Sequence, residues 1–345
     1  MTDLELLQGA VSIYSPSGQE QAVAEFLAAE MARRGMRSGI DDAGNAVGEV
    51  GTGPRTLLLL GHIDTVPGFI PVELMNGQLY GRGAVDAKGP ICAFIAAASR
   101  GAPPGLKVRV VGAVEEEAAS SRGARHLVET YAQAPDYVII GEPSGWEAIT
   151  VGYKGRLLAH CQLRLPVAHT ASGLPSAAER AVQLWNAVAD YAKALNQGKK
   201  VFEQLGPSLR HIATSSDGLS EHLEMTIGCR LPPDCDSDAL KALMASVDPD
   251  IQLSFESYDP PYRAEKNNAL VRAFLKSIRA QGGQPAFKVK TGTSDMNVVG
   301  PAWRCPIVAY GPGDSSLDHT PQEHVAMAEY QQAIQVLSGV IAALG

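Results

Sequence analysis

Apolar and polar positions along this chain follow two different rhythms. Short, nearly continuous apolar runs at 56–61, 106–114 and 137–141 have the length of strands buried on both faces. Between them, residues 88–100 and 122–133 carry apolar side chains at helical spacing. Residues 17–35 do so ahead of them, with Ser17 placed as a cap and Val23, Phe26, Leu27, Ala28 and Met31 on one face. Strand and helix in alternation predict an α/β fold with a mixed, mainly parallel sheet flanked by helices.

Near Gly152 the rhythm changes. A strand at 157–165, a long helix at 176–196, a strand near 222–231, a helix near 237–246 and a strand near 251–257 predict a mostly antiparallel α+β insert. After Pro260-Pro261 the first style returns, with a helix at 267–280, a strand at 305–310 and a closing helix at 322–343. The expected organisation is a discontinuous catalytic domain, 1–152 plus 262–345, interrupted by a lid or dimerisation domain at 153–261.

Composition narrows the picture. At 345 residues the chain is too long for one ordinary core, and its 45% apolar residues supply material for two. A net charge of −8 argues against a general nucleic-acid binder. The five cysteines are odd in number and dispersed, without a Cys-x-x-Cys pair, so neither a zinc ribbon nor a disulfide framework is expected. The start Met-Thr-Asp-Leu-Glu has no apolar signal core, and no apolar run approaches the roughly 20 residues that span a bilayer. A cytoplasmic protein without membrane partners is the expectation.

Chemistry concentrates where strands end. His62 and Asp64 follow the run Leu57–Leu60, at the carboxyl edge where open α/β sheets bind ligands. Asp86 lies in Gly-Arg-Gly-Ala-Val-Asp-Ala-Lys-Gly. Glu115-Glu116-Glu117 follows the second strand, Glu142 the third, and His319 stands in Asp-His-Thr-Pro. Singly, each has an ordinary structural role: a buried imidazole, an acidic helix start, a cap or a loop acid. Jointly they offer two imidazoles and several carboxylates, the donor set of a two-metal hydrolase in which one carboxylate bridges ions about 3.5–4 Å apart. Asp64 is placed to orient His62, and Glu116 to act as general base.

These five motifs, in this order, resemble the co-catalytic zinc peptidase/deacylase superfamily, which includes aminoacylase, acetylornithine deacetylase and succinyl-diaminopimelate desuccinylase. The resemblance spans the whole chain, insert included. It implies His62 and Glu142 on one ion, Glu117 and His319 on the other, and Asp86 between them. It also implies Glu116 as base and Asp64 behind His62. Ala118 to Gly123 is one residue longer than the commonest version, so a shift of one position within the Glu triplet stays open. The metal implied is zinc, with cobalt as a substitute. By the same resemblance His169 stabilises the oxyanion in a partner subunit's site, which implies a homodimer. Arg230 grips a substrate carboxylate, and Thr293 and Lys154 contact substrate. The family's asparagine upstream of that arginine is not evident in this chain.

Gly-Ala-Val-Glu-Glu-Glu, Val-Gly-Tyr-Lys-Gly-Arg, Asp-Pro-Pro-Tyr-Arg and Lys-Thr-Gly-Thr-Ser-Asp-Met-Asn-Val-Val are most like the LysW-lysine/LysW-ornithine hydrolase branch. That branch implies release of lysine or ornithine from the terminal glutamate of an acidic amino-group carrier protein. Lys154, Arg156, Arg263 and Lys266 are candidates for a basic rim facing such a carrier. Alternatives are an N-acetylornithine or N-acetyl-lysine deacetylase, a related dipeptidase, or a non-catalytic binding homologue.

Overall fold

The computed structural model describes all 345 residues and separates into two compact units. The first comprises Met1–Gly152, Arg263–Val289 and Ser294–Gly345; the second comprises Tyr153–Tyr262 and Lys290–Thr293. The short segment Lys290–Thr293 was not separated from its surroundings by the hydropathy pattern.

A nine-stranded mixed sheet forms the first unit's centre. Its middle strands are Leu106–Ala113, Arg55–His62, Tyr137–Gly141 and Ile307–Ala309, each parallel to its neighbour. Ala46–Val50 joins antiparallel at one side and Ala148–Tyr153 at the other. Leu57 to Leu60 are fully buried, because a parallel strand between helices has no wet face. Burying each leucine contributes roughly 1.5–3 kcal/mol before chain entropy is counted. The helix Lys88–Ala98 is buried along its whole length. Where three strands end, Gly61 lies in register with both Gly112 and Gly141. A Cβ on Gly141 would meet the Gly61 Cα at 3.0 Å and the Phe94 ring at 2.9 Å, so a larger residue would push the strand ends apart.

Element boundaries differ from expectation in instructive places. The helix expected at 17–35 runs from Gln21 to Arg33, because Gly18 turns with φ +85° and its N–H donates to Glu20. The closing helix is Met327–Ala343; the residues before it form a strand, His324–Ala326, paired with Gln78–Tyr80. An unexpected helix, Asp3–Ser12, opens the chain with a Thr2–Glu5 capping box.

The second unit is a four-stranded antiparallel sheet in the order Gly206–Ser216, Ser220–Leu231, Gly155–Pro166, Gln252–Asp259. Leu157, Ala159, Cys161 and Leu163 point to one face and pack with Leu184, Val188, Leu240 and Met244 from the helices Ala177–Leu195 and Ser237–Val247. Strand Gly206–Ser216 lies at the edge and is exposed from Ser208 onward, which removes the alternation a sequence reading needs.

Candidate metal centre

Parallel strands carry their carboxyl ends to one edge of the sheet, and the chemistry gathers there. His62 ends its strand, Glu116 and Glu117 follow Ala113 closely, and Glu142 follows Gly141. Asp86 arrives on the loop before helix Lys88–Ala98, and His319 on the loop after the short helix Ser315–Leu317.

Asp86 lies between the two imidazoles. Its Oδ1 is 3.0 Å from His62 Nε2 and its Oδ2 is 3.0 Å from His319 Nε2. His62 Nε2 also lies 3.9 Å from Glu142 Oε1, and His319 Nε2 lies 2.7 Å from Glu117 Oε1. Two groups result, His62–Asp86–Glu142 and Asp86–Glu117–His319, each with donor atoms within 4.8 Å of one another. A third grouping joins His62 to Glu116 and Glu117. The five residues expected as ligands therefore converge, with Asp86 common to the first two groups.

Asp64 is fully buried behind this cluster. The His62 Nδ1–H donates to its carbonyl at 3.0 Å, which leaves Nε2 as the ring's donor atom toward Asp86 and Glu142. The Asp64 carboxylate accepts the backbone N–H of Glu116 at 3.1 Å and of Glu117 at 3.0 Å, and the Ser17 hydroxyl at 2.7 Å. One residue thus orients an imidazole through its backbone carbonyl and pins, through its carboxylate, the loop that carries two acids.

Glu115 turns away from the cluster. It adopts φ +57°, receives the Ser120 hydroxyl at 2.6 Å and pairs with Arg122 at 2.8 Å. His319 is also left-handed, at φ +62°. Such conformations cost a non-glycine residue energy and concentrate at functional sites.

Electrostatics record the crowding. Burial and the neighbouring Glu142, Glu117 and Asp295 push the Glu116 carboxyl well above its ordinary range, against a pull from His62. Burial also raises Glu117, although His319 partly offsets it. Hydrogen bonds to Asp86 and Glu117 raise His319 to about 10. Burial opposes charge on His62, but hydrogen bonds with Asp64 and Asp86 outweigh it and hold the imidazole well above its usual value. Asp86 is correspondingly depressed, its burial outweighed by His319 and His62. So many carboxylates in a buried space call for compensating positive charge.

The remaining expected residues lie on the second unit. His169 is exposed and begins a short turn, its Nδ1 accepting from the Ala171 N–H at 3.0 Å. It lines a cavity of about 780 Å³ with Leu174, Glu179 and Arg180. Arg230 Nη1 donates to Thr293 Oγ1 at 3.1 Å, which brings two expected substrate contacts together. Lys154 donates to the Gln204 carbonyl at 2.6 Å, and burial together with Arg230 lowers its pKa. The four candidate rim residues are Lys154 and Arg156 on the second unit and Arg263 and Lys266 on the first. Arg156 is paired with Asp259 at 2.7 Å in a largely buried contact, and Lys266 lies over the Phe287 ring.

Sequence reasoning missed Ser17 as a partner of Asp64, and Asp295, which is buried and acts electrostatically on Glu116. It also missed the roles of Arg82, which stands inside the quoted Asp86 motif, and of Glu323, four residues after His319.

Sequence comparison agrees with this arrangement. The profile of peptidase family M20/M25/M40 matches residues 58–343. The chain belongs to this family. It is an M20-type metallohydrolase with a candidate metal-binding cluster at the carboxyl edge of its sheet. It is 48% identical over 352 residues to a [LysW]-lysine hydrolase of Deinococcus radiodurans, covering 99% of this chain and 96% of that protein. It is 38% identical to a putative [LysW]-lysine/[LysW]-ornithine hydrolase of Pyrococcus furiosus, covering 98% of this chain and 96% of the relative. Among solved structures, an M20 family metallo-carboxypeptidase of Sulfolobus solfataricus superposes with a TM-score of 0.80 at 17% identity, over 99% of this chain and 98% of that one. None of the helices is long and apolar enough to cross a membrane.

Proposed function

We propose that this M20 hydrolase cleaves the amide joining the α-amine of lysine, or of ornithine, to the γ-carboxyl of a carrier protein's C-terminal glutamate. The substrate assignment rests on the [LysW]-hydrolase relatives. The observation that carries the chemistry is Asp86, with each carboxylate oxygen facing one imidazole.

The donor set fits two divalent ions, zinc first and cobalt as a substitute. Nitrogen and carboxylate donors suit these metals, and the crowded, mutually repelling acids suit a pair of dications. His62, Glu142 and Asp86 would hold one ion; Asp86, Glu117 and His319 the other. Bound ions of this kind supply Lewis acidity toward the scissile carbonyl and make an attacking water more acidic. Glu116, next to a ligand but outside the Asp86 groups, takes the proton from that water and passes it to the leaving α-amine. Asp64 holds the loop in register by binding the Glu116 and Glu117 N–H groups. Arg230, set against Thr293, receives the carboxylate of the departing amino acid, with Lys154 adding positive charge nearby.

The first unit in this reading is catalytic and the second a lid that also dimerises. The exposed edge strand Gly206–Ser216 favours pairing with a second copy. In the homodimer, the partner subunit's His169 donates a hydrogen bond to the developing oxyanion. The five cysteines are unpaired thiols, which supports a reducing, cytoplasmic setting.

A two-substrate assay on metal-loaded protein tests the proposal. One substrate is a carrier protein bearing lysine on its terminal glutamate; the other is free N-acetyl-ornithine. A strong preference for the carrier conjugate is expected, with KM rising as salt screens the contact with an acidic carrier. Preference for the acetylated small molecule would refute the carrier assignment and leave a deacetylase.

A further inference from the structure

The loop that carries Asp86 and the loop that carries His319 are tied together by a buried ion pair that none of the expected roles uses. Glu323 is fully buried and Arg82 is 7% exposed. Arg82 Nη1 donates to Glu323 Oε2 at 2.8 Å. Glu323 Oε1 accepts two backbone N–H groups, from Val85 at 3.0 Å and from Asp86 itself at 3.1 Å. The Glu323 carbonyl accepts the Gly81 N–H at 3.2 Å. Arg82 reaches in two further directions, donating from Nη1 to the carbonyl of Thr320, next to His319, at 3.4 Å and from Nε to the Gly68 carbonyl at 3.0 Å.

We propose that Arg82 and Glu323 are positioning residues that set the spacing between Asp86 and His319, and thereby the affinity of the half-site Asp86–Glu117–His319. The inference rests on the two-ion reading above. The physical argument is geometric. Asp86 sits on a loop whose backbone donors would otherwise have no rigid acceptor, and Glu323 supplies that acceptor from the far side of the His319 turn. The guanidinium, with its several fixed donors, then binds the Glu323 carboxylate, the Thr320 carbonyl and the Gly68 carbonyl in one arrangement. Buried charges that are paired and fully hydrogen-bonded hold a single geometry, and a two-ion site needs its donor atoms held to a few tenths of an ångström. His62 and Glu142 leave the ends of sheet strands, which hold them independently of this pair. The two half-sites should therefore respond unequally.

The test compares wild type, Glu323→Gln and Arg82→Lys by calorimetric titration of the metal-free chains with zinc. Steady-state kinetics at limiting and saturating zinc, and thermal unfolding of the metal-free forms, complete the comparison. Glu323→Gln keeps an oxygen for the Val85 and Asp86 N–H groups but turns an amide N–H₂ toward Arg82. Arg82→Lys keeps the charge and loses the fork. Asp86 is common to both groups, so the expected result is weaker binding of both ions, about 10–100-fold for the one that His319 would hold and less for the one that His62 and Glu142 would hold. Expected with it are a matching fall in kcat at limiting zinc, an unchanged KM and recovery of kcat at saturating zinc. A merely structural pair would lower the unfolding temperature without that rescue. Two variants that fold and bind both ions with wild-type affinity would overturn this inference alone. A wild-type chain that binds fewer than two ions would overturn it together with the functional reading beneath it.

Discussion

Replacing Asp64 by asparagine separates orientation from charge at the centre of the site. The carboxylate now accepts from Glu116 N–H on Oδ1, and from Glu117 N–H and the Ser17 hydroxyl on Oδ2. An asparagine has one oxygen, so its amide N–H₂ must face one of these two backbone donors. The Ser17 hydroxyl can rotate to accept instead of donate, but a backbone N–H cannot. At least one backbone donor therefore loses a charged acceptor, which costs about 1.5–3 kcal/mol of stability. The loop carrying Glu116 and Glu117 then loosens, and a supporting residue of this kind is worth roughly 10–100-fold in activity or metal affinity. Ser17→Ala removes only one contact and leaves both N–H groups satisfied, so it should cost about 1 kcal/mol or less and little turnover. Denaturant unfolding of the metal-free forms gives the stability differences, and kcat with bound-metal content gives the functional ones. An Asp64→Asn chain with wild-type stability and kcat would refute the claim that this carboxylate pins the loop.

Three other outcomes are expected. Glu116→Gln should retain both ions in a metal-content assay while kcat falls by about 10²–10⁴-fold; unchanged turnover would remove Glu116 as the base. His169→Ala and Glu116→Gln, each inactive as a homodimer, should recover roughly a quarter of the wild-type rate on random pairing, because one site in each mixed dimer is complete. No recovery would sink the contribution of this histidine across the dimer. In the second unit, Arg180 holds the Asp248 carboxyl below its ordinary range. A depressed carboxyl stabilises the fold at pH above its unfolded value of about 3.9 and loses that contribution as pH falls through the folded value. Arg180→Met should thus destabilise by on the order of 2 kcal/mol at pH 6 and by much less at pH 3, measured by denaturant unfolding; an equal loss at both would refute the pairing.

Much of the site could be read before any coordinates, and for a physical reason. Divalent-ion chemistry restricts its donors to a few residue types, and parallel strands deliver them at recognisable places, just after apolar runs such as Leu57–Leu60. His62, Asp86, Glu117, Glu142 and His319 are visible for that reason, and their convergence in space follows from all the strand ends lying on one edge. The α/β and α+β styles are likewise written in local periodicity. Where local pattern is weak, reading fails. Strand Gly206–Ser216 is exposed on both faces and has no period to detect, and Pro321 and Gln322 precede a strand where helical spacing suggested a helix.

Other features depend on contacts between distant segments. Arg82 and Glu323 stand 241 residues apart, and nothing in either neighbourhood announces that they share a buried ion pair. Which two of three consecutive glutamates face the cluster is undecidable from their identity alone. It is settled by the left-handed turn at Glu115 and by Asp64 capturing the next two N–H groups. Lys154 and Arg156 look like free surface charges in the sequence, but folding directs one to the Gln204 carbonyl and the other to Asp259. Residue type and periodicity report what a side chain can do and which way a short element faces. Register, pairing and the direction of a long side chain are set by neighbours that the chain brings together only on folding.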